Sequence, residues 1–181
     1  MPAPSVPAPD LPEHRFAPEP ARLTFAPGAL PQSLQWLRSP EPGRLFSLTE
    51  RPGALRLFGR EAPGSQLDHA LVARRQTDLA FTAETEIDVV PGDYQQFAGL
   101  ISWYGRFKFH YLAVTADAAG NRVLTVYSCA ADWPDARVSY PITPIALPAS
   151  GTVCLGMEVS GARLCFRYAL GETGDWQDLG I

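Results

Sequence analysis

Residues 79–89 read Leu-Ala-Phe-Thr-Ala-Glu-Thr-Glu-Ile-Asp-Val. Phe81, Ala83, Thr85, Ile87 and Val89 fall on one side of a two-residue period, and Thr82, Glu84, Glu86 and Asp88 on the other. Only an extended chain with one face buried sorts residues in this way, so the stretch predicts a half-buried strand. Comparable runs lie at 45–49, 54–58, 69–75, 96–104, 107–115, 121–128, 138–147 and 152–159. Turn formers separate them: Arg51-Pro52-Gly53, Ala62-Pro63-Gly64, Pro91-Gly92-Asp93 and Ala118-Ala119-Gly120-Asn121. Nine or ten strands with no segment of helical period predict an all-β fold, an antiparallel two-sheet β-sandwich or jelly roll.

One hairpin can be registered from its residues. A two-residue turn at Ser160-Gly161 sets Val159 opposite Ala162, Met157 opposite Leu164, Leu155 opposite Phe166 and Val153 opposite Tyr168. On the other face it sets Glu158 opposite Arg163. Cys154 and Cys165 then stand diagonally at ~7–8 Å, beyond the ~6.8 Å that a disulfide spans between Cα atoms. Three cysteines without a CxxC pair fit no disulfide framework, so free thiols and a cytoplasmic location are expected.

With 181 residues, 46% of them hydrophobic, the chain is long enough for one medium domain with a sizeable core. The net charge is −4, and Lys108 is the single lysine among 15 basic residues; the arginines are scattered except at Arg74-Arg75. No basic stripe for nucleic acid is present, and no apolar run approaches the ~18 residues a membrane span needs. On a strand, Arg74 and Arg75 point to opposite faces, so one is expected to enter the interior or an interface. Twelve of 18 prolines lie in the first 52 residues, nine of them before Gln32. Residues 1–31 therefore read as a proline-rich linker or surface strap, and 32–181 as the sandwich. A linker implies a neighbour upstream.

Chemical motifs are sparse. The sequence holds no GxGxxG, P-loop, HExxH or GxSxG, and His14, His69 and His110 are too dispersed for a metal cluster. His110 lies within a strand, where an interstrand hydrogen bond is its expected role. Glu84, Glu86 and Asp88 stand ~6.8 Å apart along one strand face, a spacing that would suit an inverting glycosidase pair. Alternation against an apolar face explains the row more simply as solvated charge. A structural calcium on this row or on Asp93 and Asp117 is an alternative that no EF-hand spacing supports, so no metal and no cofactor are assigned. Phe107, Phe109 and Tyr111 share parity and are expected to pack in the core. Trp103, Tyr104 and Trp133 are the candidates for stacking on a sugar face.

A resemblance adds to this reading. Gln35-Trp36-Leu37-Arg38-Ser39-Pro40, Ser47-Leu48-Thr49-Glu50-Arg51-Pro52-Gly53-Ala54-Leu55-Arg56-Leu57, Ala70-Leu71-Val72-Ala73-Arg74-Arg75-Gln76, Phe81-Thr82-Ala83-Glu84-Thr85 and Gln95-Gln96-Phe97-Ala98-Gly99-Leu100 occur in that order. Over about residues 25–180 the chain resembles the C-terminal domain of bacterial β-xylosidases of glycoside hydrolase family 43. The resemblance implies a concanavalin-A-like sandwich appended to a five-bladed propeller that holds the catalytic carboxylates. No position here matches the motifs that hold them, so no catalytic residue is carried over. In that family two carboxylates release xylose or arabinofuranose from non-reducing ends with inversion, and the sandwich helps close the pocket. The resemblance further implies that the sequence ends, at Asp175-Trp176-Gln177-Asp178-Leu179-Gly180-Ile181, before the family's last strands.

Three functions follow as expectations. The first is a non-catalytic accessory domain that packs on a propeller and shapes its sugar pocket. The second is a free-standing carbohydrate-binding module for xylan-type oligosaccharides. A hydrolase using Glu84 and Glu86 is the third and weakest.

Overall fold

The alternating run at 79–89 becomes the strand β5, Ala80–Ile87, in a computed structural model of the chain. The structure describes all residues except 1–4, 6, 8, 16–19, 131–136, 172–173 and 181. Four short strands precede it: β1 (Leu34–Trp36), β2 (Phe46–Ser47), β3 (Arg56–Leu57) and β4 (Val72–Arg74), with one 3-10 turn at Pro42–Arg44. Seven follow: β6 (Ala98–Gly105), β7 (Lys108–Ala116), β8 (Arg122–Cys129), β9 (Ile145–Ala146), β10 (Val153–Ser160), β11 (Arg163–Leu170) and β12 (Gln177–Asp178).

These strands form two antiparallel four-stranded sheets, ordered β12-β11-β10-β5 and β6-β7-β8-β9, with the pairs β1-β4 and β2-β3 beside them. The expected two-sheet sandwich is the fold found. Leu112, Val114, Leu124 and Val126 face Val153, Leu155, Met157, Val159, Phe166 and Tyr168 across the interior, joined by Phe81, Ala83 and Ile87 of β5. Each fully buried aliphatic or phenyl side chain contributes about 1.5–3 kcal/mol of transfer free energy, which makes this seam the main source of stability.

The β10–β11 hairpin differs from expectation by one step of the turn. Ser160 pairs with Arg163, so the turn residues are Gly161 and Ala162. Gly161 takes φ 58°, the left-handed conformation that the first position of such a turn demands and that serine would resist. The resulting pairs are Val159–Leu164, Met157–Phe166 and Leu155–Tyr168. A slip of two keeps every side chain on its face, so the apolar face is as expected while its pairings are not. Cys154 now lies opposite Ala169 and Cys165 opposite Glu158, four positions apart along the ladder. Cys129, Cys154 and Cys165 are free thiols.

Other expectations shift for local reasons. The run at 138–147 reduces to β9 plus a bridge between Ser128 and Ser139, and β1 and β12 are strands too short to leave a periodic signature. Arg74 and Arg75 are both exposed: Arg74 ends β4, which pairs only with β1, and Arg75 lies just beyond it. Within the proline-rich start, Phe25 bridges to Gly53 and ties that stretch to the sandwich edge.

Candidate functional site

The outward faces of the two sheets are chemically opposite. On the β5-β10-β11 face, Glu84 pairs with Arg167, whose guanidinium lies 4.7 Å from the centre of the Trp176 ring. Trp176 rests over Gly156, where a Cβ would come within 2.9 Å of its ring. Asp88, just beyond β5, accepts from Arg51 at 2.7 Å. The acidic row is thus exposed, and two of its three members hold surface ion pairs. These are solvated charges, as the alternation suggested.

On the β6-β7-β8 face the outward residues are aromatic. Phe109, Tyr111, Ala113 and Cys129 are buried there, with Phe97, Ile101, Trp103 and Tyr127 packed against them. Phe109 and Tyr111 pack as expected but outside the inter-sheet core, on the opposite face of β7 from Leu112 and Val114. Phe107, at the β6–β7 turn, lies under the Arg106 guanidinium at 4.2 Å from the ring centre. Burial, with a smaller contribution from neighbouring Tyr127, pushes the Tyr111 phenol well above its ordinary range.

One end of this aromatic face is covered. The bulge in β6 between Trp103 and Gly105 leaves Tyr104 without a cross-strand partner and 88% exposed to solvent. Trp103 stacks on Phe109 at 5.7 Å and meets His69 edge-on at 5.3 Å, so its ring is already sandwiched. His69 in turn hydrogen-bonds through Nε2 to the Pro63 carbonyl at 3.0 Å, which holds the 59–70 segment over this end. Trp103 and Tyr104 therefore point to opposite sides of their strand and are not brought together; Trp133 lies outside the described residues. His110 makes the expected interstrand hydrogen bond, to Ser128 Oγ at 2.7 Å.

The other end is open. Tyr94, Phe97, Thr115, Thr125, Tyr127 and Tyr140 line a groove of about 500 Å³. Phe97 and Tyr127 lie 5.2 Å apart, and Tyr127 meets Tyr140 edge-on at 5.3 Å. Tyr94 is 60% exposed and Tyr140 64%. Burial raises the Tyr127 phenol, an effect partly opposed by its hydrogen bond with Thr115, so its hydroxyl stays protonated through neutral pH. Sequence reasoning missed this group, because its rings come from three segments that no spacing connects.

Comparison with known proteins places this geometry. Residues 22–181 match the family described as the β-xylosidase C-terminal concanavalin A-like domain. The chain belongs to this family. It is 45% identical over 153 residues to the xylosidase/arabinosidase 43B of Humicola insolens, a match covering 84% of this chain and 28% of that protein. A β-xylosidase of Bacillus subtilis is 40% identical over 125 residues, covering 68% of this chain and 24% of that protein. Among solved structures, the xylan β-1,4-xylosidase of Bacillus halodurans superposes with a TM-score of 0.86 at 31% identity, covering 96% of this chain and 33% of that one. The chain thus spans about a quarter to a third of the length of these relatives, and corresponds to the accessory domain of family 43 xylosidases and arabinosidases. Among the described residues, no group of three His, Cys, Asp or Glu side chains could hold a metal ion, and no helix is long and apolar enough to cross a membrane.

Proposed function

We propose that this chain is a non-catalytic accessory sandwich that packs on a catalytic propeller and helps wall the pocket in which xylose- or arabinofuranose-terminated chains are cut. The observation that carries the reading is the match of residues 22–181 to a domain that fills only about a third of the Bacillus halodurans enzyme. A rigid wall beside a glycosidase pocket excludes water and blocks long chains, so its contribution is shape and not proton transfer. Support also comes from Glu84 and Asp88, whose carboxylates serve surface ion pairs with Arg167 and Arg51. The proline-rich stretch ahead of residue 22 is then the tether between the two parts. Free thiols at Cys129, Cys154 and Cys165 support a reducing compartment, the cytoplasm.

A graft tests the reading. Residues 22–181 replace the matching sandwich of the Bacillus halodurans enzyme, and hydrolysis of an aryl xyloside is measured beside the enzyme truncated ahead of its sandwich. The graft is expected to restore most of the activity that truncation removes. A graft no more active than the truncated enzyme overturns the accessory role.

A further inference from the structure

We infer that the open groove lined by Tyr94, Phe97, Thr115, Thr125, Tyr127 and Tyr140 is a binding site for a neutral oligosaccharide. This inference rests on the sugar-directed reading above and adds a ligand site to it. Three observations carry it.

The first is the chemistry of the walls. The groove offers ring faces and ring edges from Phe97, Tyr127 and Tyr140, whose centres lie 5.2–5.3 Å apart in sequence along it. A pyranose presents C–H groups on its faces and hydroxyls around its rim, which complements aromatic faces bordered by phenol and threonine hydroxyls. The second is charge. Among the described lining residues Asp117 is the single charged side chain, and it is engaged within its own turn. Its Oδ1 accepts from the Ala119 and Asn121 amides at 2.9 and 2.8 Å, and its Oδ2 from Asn121 Nδ2 at 3.0 Å. The groove thus presents one anion, held by its own turn, and no cation, which disfavours a phosphate or a carboxylate and leaves an uncharged ligand the better match.

The third is that one wall is held in place before any ligand arrives. The Thr115 hydroxyl lies 3.2 Å from the Tyr94 carbonyl and 2.9 Å from that of Gln96. Gln96 Oε1 accepts from the Gly92 amide at 2.9 Å, and Asp93 Oδ1 from the Gln95 amide at 2.8 Å. The loop that presents Tyr94 is therefore tied to β7 and to itself, which lowers the ordering cost of binding. A volume of about 500 Å³, with a lining that reaches from β7 and β8 to Tyr140 and Pro144, falls within the range of small-ligand sites.

The test is an amide NMR titration of the full 181-residue chain with xylotetraose, with cellotetraose as a second probe. Saturable shifts at residues 94–97, 123–127 and 138–140 are expected. Tyr140→Ala and Tyr94→Ala should each weaken binding about three- to tenfold, the scale of one lost aromatic contact. Trp176→Ala, on the charged face, should leave affinity unchanged, and circular dichroism checks that each variant folds. No saturable shift at about 10 mM sugar, shifts confined to the Trp103–Tyr104 end, or an unaltered affinity in Tyr140→Ala would each overturn the site. So would a Tyr140→Ala change that spares sugar binding but abolishes activity of the graft, because the groove would then be the face that docks on protein. Sugar binding beside an inactive graft keeps the groove and removes the accessory role; an active graft with silent titrations does the reverse.

Discussion

The two outward faces of this sandwich are built from strands of eight or nine residues and the same period, yet one carries glutamate, aspartate and arginine and the other carries phenylalanine, tyrosine and tryptophan. The charged face is complete in water, since its ion pairs lose little there and gain little. The aromatic face is not. Its Trp103 end is sealed by His69 and the 59–70 segment, and its Tyr94–Tyr140 end is open. A sheet covered on one side needs charge only on the other; a sheet apolar on both sides must be roofed or used.

Substitutions on the two faces should separate by size if this contrast is real. The largest expected effect is that of Phe109→Ala, which removes a ring that is 3% exposed and stacked on Trp103. It should cost about 3 kcal/mol in urea unfolding, and a loss below about 1 kcal/mol would mean that the outward aromatics are ornamental to the fold.

The second effect is one of pH. The Tyr111 phenol is held above its ordinary value of about 10, so the folded state binds its proton more tightly than the unfolded state does. Its contribution is fully present below pH ~10 and is lost as pH rises beyond that toward the folded value. Thermal midpoints measured at pH ~8 and pH ~11 should therefore fall in the native chain by more than in Tyr111→Phe. An equal fall in both would remove Tyr111 as the cause.

Smallest of all should be Glu84→Gln on the charged face. Its carboxylate side chain is 49% exposed, so breaking the pair with Arg167 should cost at most about 1 kcal/mol and less in high salt. A larger loss would show that this face, too, is a cohesive layer.

Legibility followed strand length. Strands β5, β7, β8, β10 and β11 each run eight or nine residues, enough for alternation to stand out, whereas the runs at 45–49, 54–58 and 138–147 contain β2, β3 and β9 but overstate them, since each holds two residues. The hairpin at Gly161 was placed on the right face and in the wrong register, because period two cannot distinguish a slip of two and the positive φ of Gly161 decides it. Phe109-His110-Tyr111-Leu112-Ala113-Val114 is apolar at both parities, which marks a strand covered on both sides. Reading Phe109 and Tyr111 simply as core missed the second layer that they form. The paired candidates Trp103 and Tyr104 could not share a site once adjacent positions on one strand sent their rings apart.

Period and turn chemistry along the chain sufficed for an all-strand sandwich with Glu84, Glu86 and Asp88 in solvent, because those are local properties of an extended backbone. Which rings share a groove was settled only when β6, β7 and β8 paired and the 94–97 and 138–144 segments folded back beside them. Contacts between distant segments carry no signature in spacing, so Tyr94, Phe97, Tyr127 and Tyr140 become one surface only in three dimensions.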